Sequence, residues 1–464
     1  MRAALLVSAL LAASSWSTPM PEVGPMRPYK APARAQWRLA NGMQAVLVTD
    51  RRLPLVTAKL AVRSGGAAFG PEDAGLSDAL AELLTDGTDR LSSKAIADAA
   101  DDYGGRLWAR ADADSVTLES YCLSEFSGKM FELMAAVARR PSFPQAEVAL
   151  RKKNMAEELQ VSRAESDFLA GVAFYRKLFG SHPYGITAAT ESSIARIGRA
   201  RLLEAHKRLF TPRNALLIVV GDISLDQAKK MAERNFGGWK GGAAPAAASA
   251  VASGARRRRI YLVDRPGSVQ VSLFLGNLAM REDHPDYFNF LVANQVLGGS
   301  FASRLVSDVR ETRGYTYRIS SRVESRLTAG IFRVRTPVRN EVVEAALDAI
   351  LGHLDRIRSK QISSEELAKA KNYLAGSFVR GLETQDGVAS ALLHIKLHRL
   401  PEDFLDHYVE KVQAVETPAV LRAATTYIRP DELVIVAVGD AANIRDCLAR
   451  FSSDPVVAVD QDGN

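Results

Sequence analysis

Val56, Ala58, Leu60 and Val62 alternate with Thr57, Lys59, Ala61 and Arg63. A period of two marks a strand, and this one is expected to be buried on one face. Val116, Leu118, Ser120 and Cys122 repeat the pattern less cleanly. Asn41-Gly42 is a turn signal ahead of an apolar run from Met43 to Val48. Leu216 to Val220 is a short apolar strand ending in Gly221-Asp222, and helical stretches are predicted at about 128–139, 145–161 and 163–179.

The second half replays this order. Val269, Val271, Leu273 and Leu275 alternate as a strand, and helical segments follow near 285–297 and 341–358. Ser363 with Glu366 forms a capping box for a helix running to about 381. Leu433 to Val438 then ends in Gly439-Asp440, matching the strand end at Gly221-Asp222. Between the copies, Gly241 to Ala255 contains only Gly, Ala, Pro, Ser and Val. Such a stretch buries little surface and reads as a flexible linker. The expected fold is therefore α+β: two homologous α/β-sandwich halves, 36–240 and 256–464, of about 200 residues each, joined by the linker 241–255.

The 464 residues are enough for two or three domains. A net charge of +7 amid abundant acids describes a mildly basic surface and not a nucleic-acid binder. At the N-terminus Arg2 precedes an apolar run, Ala3 to Ala13, followed by Ser14, Ser15 and Ser17. Residues 1–17 read as an export signal, too short to span a membrane, and 18–35 as a loose Pro/Ala-rich leader. The mature chain is expected to be periplasmic or secreted. Cys122 and Cys447 fall one in each half and read as buried free thiols, with a disulfide open if they meet.

The chemistry centres on Gly75-Leu76-Ser77-Asp78-Ala79-Leu80-Ala81-Glu82-Leu83-Leu84-Thr85-Asp86-Gly87-Thr88. Leu76, Leu80, Leu83 and Leu84 make the buried stripe of an amphipathic helix. The stretch resembles the H-x-x-E-H helix of the pitrilysin/insulinase metallopeptidases, the inverzincins. In that family two histidines at i and i+4 reach one zinc, and the glutamate between them acts as general base on the metal-bound water. Here Asp78, Ala81 and Glu82 stand in those three places. The family's third ligand, a glutamate about 75 residues downstream, matches Glu158 in Met155-Ala156-Glu157-Glu158-Leu159. Asp78, Glu82 and Glu158 form an all-carboxylate set that suits hard cations better than zinc, or simply a solvated polar face lining a cavity. Ala81 offers no base in either case.

Val309-Arg310-Glu311-Thr312-Arg313-Gly314-Tyr315-Thr316-Tyr317 resembles the family's second signature, in which an arginine and a tyrosine seven residues later bind substrate and the tetrahedral oxyanion. Arg310 and Tyr317 match that pair; Tyr315 is the near neighbour. Both side chains are hydrogen-bond donors, as the role requires. His182-Pro183-Tyr184-Gly185 also recurs in the family and reads as a loop former. His394 and His398 share the i, i+4 spacing of a zinc pair, with His407 nearby. Leu397 fills the glutamate slot between them, so they read as helix-face histidines.

The resemblance implies a chain without its own zinc or catalytic activity. Bacterial members of the family can work as heterodimers, one subunit bearing H-x-x-E-H and the other the arginine–tyrosine pair; the mitochondrial processing peptidase is similar in dividing roles between related subunits. The expected function is the substrate-handling subunit of an exported zinc peptidase, with zinc in the partner and peptides as substrates. A peptide-binding or scaffold protein without any hydrolytic partner is the alternative.

Overall fold

The computed structural model describes residues 29–242 and 254–464. The expected signal 1–17, most of the leader 18–35 and most of the linker 241–255 lie outside the described residues.

The first half carries strands β1 (Ala35–Arg38), β2 (Gln44–Thr49), β3 (Leu55–Val62), β4 (Arg106–Ala111), β5 (Val116–Leu123) and β6 (Ala215–Gly221). They form one sheet in the order β1-β2-β6-β3-β5-β4. The second half carries β7 (Arg259–Asp264), β8 (Gln270–Ala279), β9 (Ser320–Ser325), β10 (Gly330–Arg339), β11 (Val434–Gly439) and β12 (Val457–Val459), in the order β12-β7-β11-β8-β10-β9. Strands β2 to β6 and β7 to β11 occupy the same five places in their sheets. In both, the early strand pairs in parallel with the late one, β2 with β6 and β7 with β11, while the hairpin strands between them pair antiparallel. The internal duplication seen in the hydrophobic pattern is thus a duplication of topology. The capping box at Ser363 and Glu366 opens a helix over Ser364–Gly381.

Each half covers one face of its sheet with its own helices, including Ser127–Arg139 in the first and Val343–Ser359 and Thr417–Tyr427 in the second. The other face is covered by a helix from the opposite half. Ser166–Phe179, from the first half, lays Leu169, Ala170, Ala173 and Phe174 on Val434, Val436, Val438 and Phe274 of the second sheet. Gln385–His398, from the second half, lays Val388, Ala389, Leu392 and Leu393 on Val46, Val48, Leu216, Ile218 and Val220 of the first. At about 25 cal/mol per Å² of apolar surface removed from water, neither sheet face tolerates losing its cover.

This exchange corrects the reading of β3 as a strand buried on one face. Thr57, Lys59 and Ala61, on the side expected to face water, are buried, and Lys59 is only 1% exposed. Its ammonium bonds the Glu119 carboxylate on β5 and lies 2.7 Å from Asp386, in the first turn of the exchanged helix. A buried charge demands such partners, so the arriving helix supplies both the apolar cover and a countercharge. Burial pushes the Cys122 thiol up to about 12; it and Cys447 are both free, but Cys447 is only half-buried, unlike the buried thiol expected of it.

A second tie joins the halves at the His182–Gly185 loop. Tyr184 is buried, and its Oη donates to Asp114 Oδ1 at 2.6 Å. The other oxygen of Asp114 accepts the Leu327 N–H of the second half at 3.2 Å. The Arg326 guanidinium lies 4.9 Å from the Tyr184 ring, 5.0 Å from Tyr175 and 5.4 Å from Phe179. The loop-forming role expected of His182-Pro183-Tyr184-Gly185 is a latch between halves.

Trp16, Trp37, Trp108 and Trp239 all precede the linker, so tryptophan fluorescence follows chiefly the first half. Phe274→Ala in the second sheet removes the ring packed on Phe174 at 5.8 Å and is expected to cost about 3–5 kcal/mol. The tryptophan-detected denaturation midpoint should fall with it. A midpoint equal to wild type would mean that the halves unfold independently.

Candidate functional site

The degenerate peptidase helix runs over Leu76–Leu83. Gly75 opens it with φ at 82°, and a Cβ there would lie 2.8 Å from the Ala189 side chain, so both conformation and space call for glycine. Leu76, Leu80, Leu83 and Leu84 are buried as the stripe requires. Ala81, at the position of the family's base, is fully buried and brings no proton acceptor.

The helix Gln145–Ala164 crosses beside it and delivers Glu158. It also delivers Arg151, two turns earlier on the same face. One Arg151 nitrogen lies 2.9 Å from Glu82 Oε1 and the other 2.9 Å from Glu158 Oε1. The guanidinium therefore joins the two carboxylates that stand at metal-ligand positions. The carboxylates are about half exposed, whereas Arg151 is 12% exposed. Burial raises the pKa of Glu82, with Glu158 and Asp78 adding to the rise and Arg151 opposing it.

These residues do not fit a zinc ion. Zinc prefers nitrogen and sulfur donors, the carboxylates already hold a fixed cation, and a dication in the same place would face the Arg151 charge at short range. The hard-cation reading of Asp78, Glu82 and Glu158 meets the same obstacle. Sequence reasoning missed Arg151, although its signal was legible: an arginine seven residues before Glu158 on one helix shares its face.

Asp78 lies on the wall of a cavity of about 340 Å³, with Asp112 on β4's outgoing turn, Tyr175 and the Arg326 of the second half. Asp78 is exposed to solvent, yet the protein packed around the cavity holds its carboxyl above the ordinary aspartate range, with Arg151 opposing. Another cavity, of about 690 Å³, opens beside the exchanged helix and is lined by Leu53, Trp108, Tyr121 and Gln385. It lies apart from the motif, and none of the candidate site residues borders it.

In the second half, Arg310 sits in a π-helical segment, Val306–Thr312. Wide turns of this kind concentrate at functional sites. The Arg310 guanidinium lies 4.6 Å from the centre of the Phe301 ring and 3.4 Å from Glu311. Phe301 is 68% exposed, an unusual state for an aromatic, and was not singled out by sequence. Tyr317 is 86% exposed on the loop that follows. Tyr315 instead packs against the second core, which separates the near neighbour from the matching tyrosine. His407 pairs with Glu410 at 2.9 Å and Asp403 at 3.4 Å on its own helix, a surface network.

Because the fold favours protonated Asp78, ionisation costs stability as pH rises through the raised pKa, and the cost is absent below the usual aspartate value of about 3.9. Asp78→Asn is therefore expected to melt above wild type at pH 7, with the gain vanishing in acid. A variant melting at or below wild type at pH 7 would contradict this account of the cavity.

Comparison with known proteins bears on the same two regions. Residues 45–189 match the family model described as Insulinase (Peptidase family M16), and residues 196–374 match the Peptidase M16 inactive domain. The chain is 24% identical to the uncharacterized zinc protease YmxG of Bacillus subtilis over 82% of this chain and 92% of that one. It is 25% identical to an uncharacterized zinc protease of Mycobacterium tuberculosis over 87% and 93%. A crystal structure of a peptidase M16 inactive domain from Pseudomonas fluorescens superposes with a TM-score of 0.83 and 26% identity, covering 88% of this chain and 98% of that one. A Helicobacter pylori protease, at 19% identity, shares the fold with a TM-score of 0.82 over 88% and 100%. With both family domains matched and all three motif positions altered, the chain belongs to the insulinase family, peptidase family M16, as a non-catalytic member.

Proposed function

We propose that this chain is the substrate-handling subunit of an exported, heterodimeric zinc metallopeptidase, closing a peptide-binding chamber over the zinc of an H-x-x-E-H-bearing partner. The observation that carries the reading is an asymmetry within one molecule. On the first half, Arg151 joins Glu82 and Glu158 where a metal would sit. On the second half, Arg310 and Tyr317 keep their donor groups on an accessible surface, Arg310 backed by the Phe301 ring.

In this reading the partner holds the zinc and its activated water. Arg310 donates to a peptide carbonyl through its planar fork, and Tyr317 donates its phenolic proton. Both act on the oxygen that gains negative charge as the tetrahedral intermediate forms. Fixed donors aimed at developing charge stabilise the transition state more than the ground state. In this reading the mature complex works in the periplasm or outside the cell, where the export signal read at residues 1–17 would send it.

Removing one oxyanion donor costs on the order of 10²–10³ in turnover in well-studied hydrolases. Arg310→Ala is expected to lower kcat/KM of the purified complex by about 100-fold and Tyr317→Phe by about tenfold or more. Both complexes should elute intact from a sizing column. Unchanged turnover in both variants would remove the assigned roles and leave a binding or scaffold protein.

A further inference from the structure

The two histidines that the peptidase reading leaves aside do not stand alone. His394 and His398 lie one turn apart on the exchanged helix, with ring centroids 4.1 Å apart. Glu282, on the turn leaving β8, meets them: its Oε2 lies 2.6 Å from His394 Nε2. One donor atom from each of Glu282, His394 and His398 falls within 4.8 Å of the other two. Among the described residues this is the one such group of three ligating side chains.

We propose that Glu282, His394 and His398 form a binding site for a divalent transition-metal ion of the zinc class, separate from the degenerate peptidase motif.

Two imidazoles and one carboxylate are a borderline N₂O donor set, which favours zinc, nickel or copper over magnesium and calcium. Metal–ligand distances of about 2.0–2.1 Å at tetrahedral angles place donors about 3.3 Å apart. The cluster needs changes of about 1.5 Å at most to close, within the reach of side-chain rotation. Three protein ligands leave a fourth position for water.

The scaffold holds the donors in place. The Glu282 side chain is 8% exposed, and its backbone N–H donates to Ser325 Oγ at 2.8 Å, tying the turn to the end of β9. Immediately after His398 the helix stops at Arg399, whose φ of 55° is left-handed. Such a conformation is unfavourable for a non-glycine residue, so the helix end beside His398 is held there by its surroundings. Burial and then His394 push the His398 imidazole down to about 4, which leaves it neutral at physiological pH.

The location gives the ion a consequence. The helix bearing His394 and His398 covers the first sheet, while Glu282 belongs to the rim of the second. A bound ion would pin the exchanged helix to the second sheet's edge and so hold the seam between halves.

The test uses the mature chain stripped with a chelator and titrated with Zn²⁺ by calorimetry, with bound metal counted after dialysis. Wild type is expected to bind one equivalent and to melt at a higher temperature with Zn²⁺ present. His394→Ala, chosen because His394 is 43% exposed and its loss spares the core, should weaken binding at least 100-fold and abolish the zinc-dependent melting shift. Glu282→Gln should weaken it at least tenfold, and the double variant Glu82→Gln/Glu158→Gln should bind as wild type does. No stoichiometric binding to wild type, equal binding by His394→Ala, or binding lost only with Glu82 and Glu158 would each overturn the proposal.

Discussion

Everything in this molecule depends on the reciprocal exchange of one helix between its halves. A six-stranded sheet with apolar residues on both faces needs two covers, and each half builds only one. The missing cover is the other half's helix: Ser166–Phe179 for the second sheet and Gln385–His398 for the first. Burial of Lys59 follows from the same geometry, since Asp386 arrives with the helix and shares the ammonium with Glu119. Two sheets so interlocked behave as one body despite a duplicated sequence, and that body sets the first-half motif and the second-half donors in fixed relation.

On this frame the chemistry of the first half has been exchanged for structure. A zinc ion ties two helices by drawing ligands from both. Arg151 does the equivalent with hydrogen bonds, binding Glu82 on one helix and Glu158 on its own. A half-exposed ion pair of this kind contributes little to stability, about 1 kcal/mol or less, but it satisfies like charges that would otherwise repel. It offers no Lewis acid and no activated water, and Ala81 offers no base. The second half shows no such replacement: Arg310 and Tyr317 remain accessible.

Much of this was legible in the sequence, and the reasons are local. Alternation in β3 and β8, turn signals at Asn41-Gly42 and the strand ends Gly221-Asp222 and Gly439-Asp440 all follow from short-range chemistry. The altered motif was legible because Leu76, Leu80, Leu83 and Leu84 keep the helix frame around positions 78, 81 and 82. What escaped depends on distant segments meeting. Lys59 reads as a solvent-facing residue until a helix more than three hundred positions later covers it. Glu282 lies over a hundred positions from His394, so no spacing rule links them. Arg151 was within reach of helical periodicity, but an arginine carries no signature of the metal it stands in for.

The central claim, a peptidase function shared with a second chain, is tested most directly by affinity purification of the tagged protein from its native cells. Co-purifying proteins would be identified and their stoichiometry measured by mass spectrometry. The account predicts an equimolar family member with an intact H-x-x-E-H motif. Recovery of this chain alone or only with itself, at expression levels matching the native ones, would contradict it.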